Sequence, residues 1–357
     1  MLALAPTDVT RHDVADYARS LVAAARSIPD ERLHRRRFRV ADVVVEARFT
    51  DLELAELYPR RIACAPVTDD SARADTRVDV FSCDRLGWPM PARWADADCP
   101  RQDFATRLEA AGLDAAFPYH PGLWQVFEPA GAYGVQLCTT RTDLPPWDSG
   151  APLRLHLFWA LGARGRHLIH GATLGVDDVG VLLAGPGGAG KSGTTMAGLA
   201  AGMRTVGDDY VVVDDTRSRP TAIPIFRVAK LDPVGLARLG TRASALDGQA
   251  ANWQGKIEFD PARIFATPIA ERIELRAVLL PRIARADRTT VTAVSALDAM
   301  RALSLANLYQ FPARLAATAH FLARLARTLP AFRLDLSADP VEIGATLRGL
   351  VARLPRP

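Results

Sequence analysis

The sequence predicts an α/β protein in two parts: a smaller α+β region over residues 1–150, suited to substrate or partner recognition, and an α/β domain over 151–357 with a helical C-terminus. Three observations carry this prediction. A glycine-rich octapeptide, Gly185 to Ser192, lies between the apolar run 179–184 and a helical stretch ending near Gly202. Short apolar runs suited to strands alternate with helical periodicity after Leu153. A stretch rich in Pro, Trp, Asp and Gly, residues 143–152, separates two halves of different character.

Taken in order, the first 27 residues read as a helix, with Asp8 or Thr10 as N-cap and Val14, Tyr17, Ala18, Leu21 and Val22 on one face. Strand-like runs follow at 38–49 and 77–83, and loops are expected at 87–100 and 140–152. Trp88, Trp94, Trp124 and Trp147 fall in loop-like stretches, where packing is expected over ligand binding. Residues 153–160 are strongly apolar; 167–175 and 179–184 are short β-like runs joined by a turn at Val176, Asp177 and Asp178. Asp208 and Asp209 open a strand over 210–213, and 275–280 is another. From Ala296 onward the chain reads as mostly helical, and its last helix has a clear start: Asp339 as N-cap, Pro340 at N1 and Glu342 at N3.

Composition excludes several classes. The 357 residues are 49% hydrophobic and 24% charged, and no run approaches the ~18 apolar residues of a spanning helix. Residues 1–8 lack a basic flank and are interrupted by Pro6 and Asp8, so no secretory signal is expected and a cytoplasmic location is. Of 44 basic residues only three are lysines, Lys191, Lys230 and Lys256, and the net charge is +4. Arginine abundance is thus a general bias. Arg35, Arg36 and Arg37 are expected on a solvated face or strand edge, and neither nucleic acid nor membrane is an expected partner. The corollary is that a surviving lysine marks a place that needs a compact ammonium. Cys64, Cys83, Cys99 and Cys138 are widely spaced, form no metal-ligand pattern with the seven histidines, and are expected to be free thiols.

The octapeptide fits G-x-x-x-x-G-K-[ST] without mismatch. Gly187, Gly188 and Gly190 let successive N–H groups turn toward phosphate oxygens, with Gly185, Ala189 and Gly193 completing the binding stretch. The helix beginning near Lys191 adds its positive end; Lys191 would neutralise the β/γ-phosphates and the Ser192 hydroxyl would reach Mg²⁺. Asp208 and Asp209 lie one helix downstream. Neighbouring side chains on an extended backbone diverge, so one acid can face metal while the other faces substrate. His170, on the strand before the turn at 176–178, is placed to orient an aspartate.

His170-Gly171, a hairpin, the Gly185–Ser192 loop, a helix and Gly207-Asp208-Asp209 before an apolar strand together resemble the HPr kinase/phosphorylase family, and more closely the HPr-kinase-like serine kinases, including those acting on ribosomally made peptides. The resemblance covers about residues 153–215, is weaker from 223–230 through 279–282, and is absent from the first 140 residues. It implies a P-loop kinase domain of the HPr kinase and phosphoenolpyruvate carboxykinase type. It also implies His170 beside a catalytic aspartate, Asp208 as general base, and Asp209 with Ser192 around Mg²⁺. Arg227 and Lys230 fall on a basic stretch that the resemblance places near phosphate or acceptor, and Arg282 is either a transition-state cation or one half of a structural strand-end ion pair; Lys256 is expected on the surface. Gly193 stands where members with both activities carry an acid, and the family's acidic metal ligand is not recognisable over 215–260, so a kinase-only relative is implied.

The expected activity is therefore transfer of the γ-phosphoryl of Mg·ATP to a hydroxyl acceptor, a peptide or protein serine or a small molecule. The alternatives are a nucleotide-dependent binding module and a switch-type NTPase. The absence of an Asn-Lys-x-Asp stretch disfavours a GTPase. A homo-oligomer is compatible with the sequence, which does not identify the acceptor.

Overall fold

Asp13 caps the first helix, α1 (Val14–Arg26), its carboxylate accepting the Ala15 N–H at 2.8 Å. The caps read at Asp8 and Thr10 lie outside the residues that the computed structural model describes, which are 13–69, 72–89, 101–118, 120, 122–266, 268–311 and 313–355. The expected face of α1 is buried from Val14 to Val22. The strand run read over 38–49 is a hairpin. In it β1 (His34–Val40) and β2 (Val43–Phe49) pair antiparallel around Ala41, which takes a left-handed φ of 54° to make the turn. Then come α2 (Leu52–Arg61), β3 (Thr76–Ser82), α3 (Cys83–Leu86), α4 (Arg101–Ala110), β4 (Asp114–Ala115), β5 (Leu123–Glu128), β6 (Tyr133–Cys138), α5 (Pro146–Ser149) and α6 (Arg154–Gly162). The six strands form one mixed sheet in the order β1-β2-β3-β6-β5-β4.

The face carrying Phe81, Trp124, Val126, Val135 and Leu137 packs on α1 and α4. Trp88 and Trp124 belong to this core and the Trp147 ring meets His120 edge-on, so these three pack as expected, although Trp124 lies on β5 and Trp147 on α5 and not in loops; Trp94 lies outside the described residues. Arg35, Arg36 and Arg37 lie on β1, at the edge of the sheet, as expected. Cys83 and Cys138 are buried and Cys64 is half-buried; Cys99 is outside the described residues. The apolar stretch at 153–160 is helix α6, buried on all sides, which explains its lack of a polar face. Contacts gather the chain into two units, Met1–Arg164 with Phe311–Ala313, and Gly165–Gln310 with Arg314–Pro357, so the boundary read at 150 falls inside the first.

In the second unit the run read over 167–175 is two strands, β7 (Arg166–His170) and β8 (Ala172–Val176), separated at Gly171. β8 and β9 (Val179–Leu183) form the expected hairpin, with Asp177 at φ 55° in its turn. Next are α7 (Lys191–Ala200), β10 (Tyr210–Asp214), β11 (Thr221–Ile223), β12 (Ala229–Leu231), α8 (Pro233–Ala237) and β13 (Ile257–Phe259). The strand read at 275–280 extends much further, as β14 (Ile273–Ala286). After β15 (Thr290–Val294) come α9 (Ala296–Asn307), α10 (Leu315–Thr328), β16 (Ala331–Ser337) and α11 (Pro340–Arg353). β16 interrupts the region expected to be helical and pairs parallel with β14. The last helix starts as expected, Asp339 accepting the Val341 N–H at 2.8 Å with Pro340 behind it.

β14 is the hub of an eight-stranded mixed sheet, pairing parallel with β9 and β16 and antiparallel with β11. Strand alternation divides its side chains between two helical layers. Leu182 and Val278 pack toward α9 and α10, through Leu303 and Phe321. Val181, Leu183, Ala277 and Leu279 pack toward α7 and α11, through Ala197, Ile343 and Leu347. The unit is therefore a mixed α/β layer structure, and this layering fixes the start of α7 at the end of β9. Among the described residues no helix is long and apolar enough to cross a membrane.

Candidate active site

The β9–α7 turn is built on glycine. Gly188 and Gly190 have φ of 79° and 103°, and a Cβ at Gly190 would meet Leu336 Cδ1 at 3.0 Å and Ile283 Cγ1 at 3.3 Å. No acidic side chain lies in the first turn of α7, so the positive end of the helix is left uncompensated at this loop. Lys191 opens α7, and its Nζ donates to the carbonyls of Gly185 at 2.7 Å and Pro186 at 3.1 Å. Burial pulls the Lys191 pKa down; Asp209 and Asp208 oppose the shift and the positive charge of Lys256 adds to it. Both acids therefore lie within electrostatic reach of the loop lysine.

The acid pair is locked by backbone bonds to the β7–β8 segment. Gly171 N–H donates to Asp209 O and Thr173 N–H to Gly207 O, both at 3.1 Å. A Cβ at Gly207 would stand 2.5 Å from the Tyr210 carbonyl oxygen, so the residue before the pair has no room for a side chain. The two carboxylates diverge, as expected on an extended backbone, into different surroundings. Asp209 is 28% exposed and is held from two sides, with His170 Nδ1 3.3 Å from Oδ1 and Lys230 Nζ 3.4 Å from Oδ2. The β7–β10 register sets His170 opposite Tyr210, and their rings lie 5.2 Å apart.

Asp208 is 5% exposed, and neither carboxylate oxygen has a hydrogen-bond partner. Burial, then the charge of Asp209, pushes its pKa up to about 6. The Ser192 and Thr195 hydroxyls and the Lys230 backbone N–H are close enough to oppose that rise without reaching hydrogen-bonding geometry.

The remaining sequence-predicted residues divide clearly. Lys230, presented by β12, reaches the acid pair. Arg227 instead faces Asp260 at 3.7 Å. Arg282 is 62% exposed and pairs with Asp335 at 2.6 Å across the β14–β16 register, which makes it a strand-end ion pair. Lys256 is exposed as expected, yet its charge is felt at Lys191, so all three lysines of the chain converge on one locality. The side of Gly193 where a Cβ would stand is open, with nothing within 4 Å; the same holds for Gly187.

Three contributors escaped sequence reasoning. Thr195, one turn along α7, approaches Asp208. Asn307, 1% exposed at the end of α9, accepts the His170 N–H at 2.7 Å and donates to Leu303 O at 2.9 Å, anchoring the histidine's backbone. Tyr210 packs on His170 and donates to Gln310 at 3.1 Å. Thr195 was recoverable from helical spacing, since it lies one turn beyond Lys191; Asn307 is 137 residues from His170 and left no local signal.

The donor set fits a small hard cation of the Mg²⁺ type. Two buried carboxylate oxygens without donors, next to a hydroxyl at a helix start, are the oxygen ligands such an ion takes, and Mg²⁺ commonly uses only one or two protein carboxylates together with phosphates and water. No group of three or more His, Cys, Asp or Glu side chains suited to a metal occurs among the described residues, which a soft-metal cage would require.

No protein-family model and no curated protein matches the chain. Among solved structures it is similar to the HPr(Ser) kinase/phosphatase from Coxiella burnetii, at 15% identity and a TM-score of 0.29, over 52% of this chain and 95% of that one. At that identity and TM-score the similarity decides nothing about activity.

Proposed function

We propose that the chain is an ATP- and Mg²⁺-dependent kinase that transfers the γ-phosphoryl group to a hydroxyl acceptor, a peptide or protein serine or a small molecule. The observation that carries this reading is the buried Asp208 carboxylate, left without donors beside Ser192 and within electrostatic reach of Lys191. Backbone N–H groups of Gly187, Gly188 and Gly190 and the start of α7 hold the phosphates, and Lys191 exchanges its loop carbonyls for phosphate oxygens. Ser192 and Asp208 would hold the metal, which supplies charge neutralisation at the transferring phosphoryl group.

Asp209 is the base in this scheme. His170 and Lys230 hold its carboxylate from two sides, in position to take the acceptor proton. The acceptor oxygen forms its bond to the γ-phosphorus as the bond to the ADP oxygen breaks, and the acceptor proton passes to Asp209. The roles expected for the two aspartates are thereby exchanged: His170 touches Asp209, and Ser192 lies on the side of Asp208. Asp209→Asn is expected to keep Mg·ATP binding and to lose transfer by about 10²–10⁴-fold. Asp208→Asn is expected to remove the Mg²⁺ dependence of nucleotide binding. Calorimetry with and without Mg²⁺, alongside a labelled-ATP transfer assay on candidate peptides, measures both. Undiminished transfer in Asp209→Asn would overturn the reading.

A further inference from the structure

A cavity of about 320 Å³ is lined by residues of α7 and by Gly190 of the glycine loop. Gly190 and Gly193 are among its lining residues, so it adjoins the stretch proposed to hold phosphate. Its walls are Met196 and Ala197 of α7, Ile283 of β14, and the β16–α11 connection from Ser337 to Val341; Arg238 and Arg242, both exposed, stand at its rim. The volume falls at the lower end of the ~300–1,000 Å³ range of small-molecule pockets.

Most backbone N–H groups on one of its walls are already engaged. In the β16–α11 connection Ser337 N–H donates to Thr289 Oγ1 at 3.2 Å, Asp339 N–H to Ser337 Oγ at 3.2 Å and Val341 N–H to Asp339 Oδ1 at 2.8 Å; Pro340 has no N–H. The Ser337 hydroxyl donates to Glu342 Oε2 at 2.7 Å. Four of the five positions from 337 to 341 therefore offer no N–H to a ligand. Among the lining side chains, the buried polar atom without a partner is the Thr194 hydroxyl, two residues beyond Ser192, toward the phosphate end.

We infer that this cavity takes the nucleoside of the phosphoryl donor and holds its base by apolar contact and arginine stacking, with no hydrogen-bond readout of the base edge. The inference rests on the kinase reading and adds to it a donor specificity: the enzyme accepts purine nucleoside triphosphates with little discrimination. Apolar pockets separate similar ligands by about 10–200-fold, whereas a site built to hydrogen-bond one ligand rejects its analogue by about 10⁴-fold or more. The open side of Gly193 belongs to the same design, since a larger residue there would project into the space.

The test measures binding of Mg·ATP, Mg·GTP and Mg·tripolyphosphate to the full chain, to Gly193→Leu and to Arg238→Ala/Arg242→Ala. The ratio of ATP to tripolyphosphate affinity reports the nucleoside alone, because damage to the phosphate loop lowers both. The expected result is a wild-type ratio above about tenfold, falling toward one in Gly193→Leu and by a smaller factor in the arginine pair, with GTP within about 10²-fold of ATP. A wild-type ratio near one, or a ratio unmoved in Gly193→Leu, overturns the pocket and leaves the phosphate site standing. A preference for ATP over GTP beyond about 10²-fold overturns the apolar readout. Failure of tripolyphosphate to bind at all overturns the kinase reading, and this inference with it.

Discussion

Each unit buries one aspartate whose pKa burial pushes up to about 6, Asp148 in the first and Asp208 in the second, yet the two are held in opposite ways. Asp148 accepts from Tyr58 at 3.1 Å, Gln136 at 3.0 Å and Gln125 at 3.2 Å, and Gln125 and Gln136 face each other across the β5–β6 register. Asp208 accepts from none. A buried carboxylate with its donors in place fixes a core; one without them leaves a desolvation cost of several kcal/mol that a packed core has no reason to carry. The same residue type at similar burial is therefore core architecture in one unit and, in the function proposed above, a metal ligand in the other, and the difference is in the partners.

Removing each carboxylate in turn is the strongest test of that contrast. Asp208→Asn is expected to cut phosphoryl transfer by about 10²-fold or more while leaving the unfolding midpoint unchanged or raised. Asp148→Ala is expected to leave transfer intact and to cost about 3 kcal/mol, because the buried Tyr58 O–H loses its acceptor and Gln125 and Gln136, which keep bonds to Gln136 Oε1 and Tyr58 Oη, each lose one of theirs. Transfer assays and urea melts on the two variants check both arms. Equal loss of activity in the two would erase the distinction.

The pH dependence sharpens it. For Asp208 the folded pKa of about 6 lies above its ordinary value of 3.8, so the native state holds the proton longer than the unfolded chain. The associated stability is fully present below about pH 4 and is lost as pH rises through about 6, a change of ~3 kcal/mol. Asp148 titrates with the same sign. The expected separation comes from Mg²⁺ with nucleotide, which at pH 7.5 restores the share belonging to Asp208 and leaves that of Asp148 untouched. Urea midpoints from pH 4 to 8, with and without Mg·ATP, for wild type and Asp208→Asn, measure it.

Much of the second unit was legible in the sequence because its signals are local. The glycine loop, the Val176–Val179 turn and the Asp339-Pro340 helix start each concern a few consecutive residues whose backbone chemistry leaves few choices. What escaped depends on partners distant in the chain. β16 sits between two amphipathic helices and is a strand because β14 offers it a parallel edge, and α6 is helical although its run, with Arg154 and His156 buried among the apolar residues, carries no helical period. The roles of Asp208 and Asp209 were unreadable for the same reason: adjacency fixes that they diverge, and only the fold determines that His170 and Lys230 meet the second of them.

Asn307 gives a finer test at the exposed side of the pair. Its side chain accepts the His170 N–H, so Asn307→Ala leaves that donor buried and frees the end of β7 that presents the imidazole to Asp209. The expected cost is about 1–3 kcal/mol in stability. Transfer is expected to fall about tenfold through the turnover rate, with the affinity for Mg·ATP unchanged. A loss confined to nucleotide affinity would instead tie His170 to the phosphate side and reverse the exchange of roles proposed for the two acids.

The smallest expected effect concerns Arg282, a cation close enough in sequence to the β14 end of the site to suggest a role at the transition state. Its guanidinium is 62% exposed and engages Asp335, which Arg333 also reaches at 3.2 Å, so the carboxylate keeps a partner when Arg282 is removed. An exposed pair of this kind contributes less than about 1 kcal/mol. Arg282→Ala is therefore expected to shift the urea midpoint within that range and to change transfer by less than about twofold, whereas Lys191→Ala abolishes it. Should Arg282→Ala cost transfer about tenfold or more, the strand-end pair must open during turnover, and the charge that stabilises the transferring group would include a side chain outside the lysine-centred locality around Asp208 and Asp209.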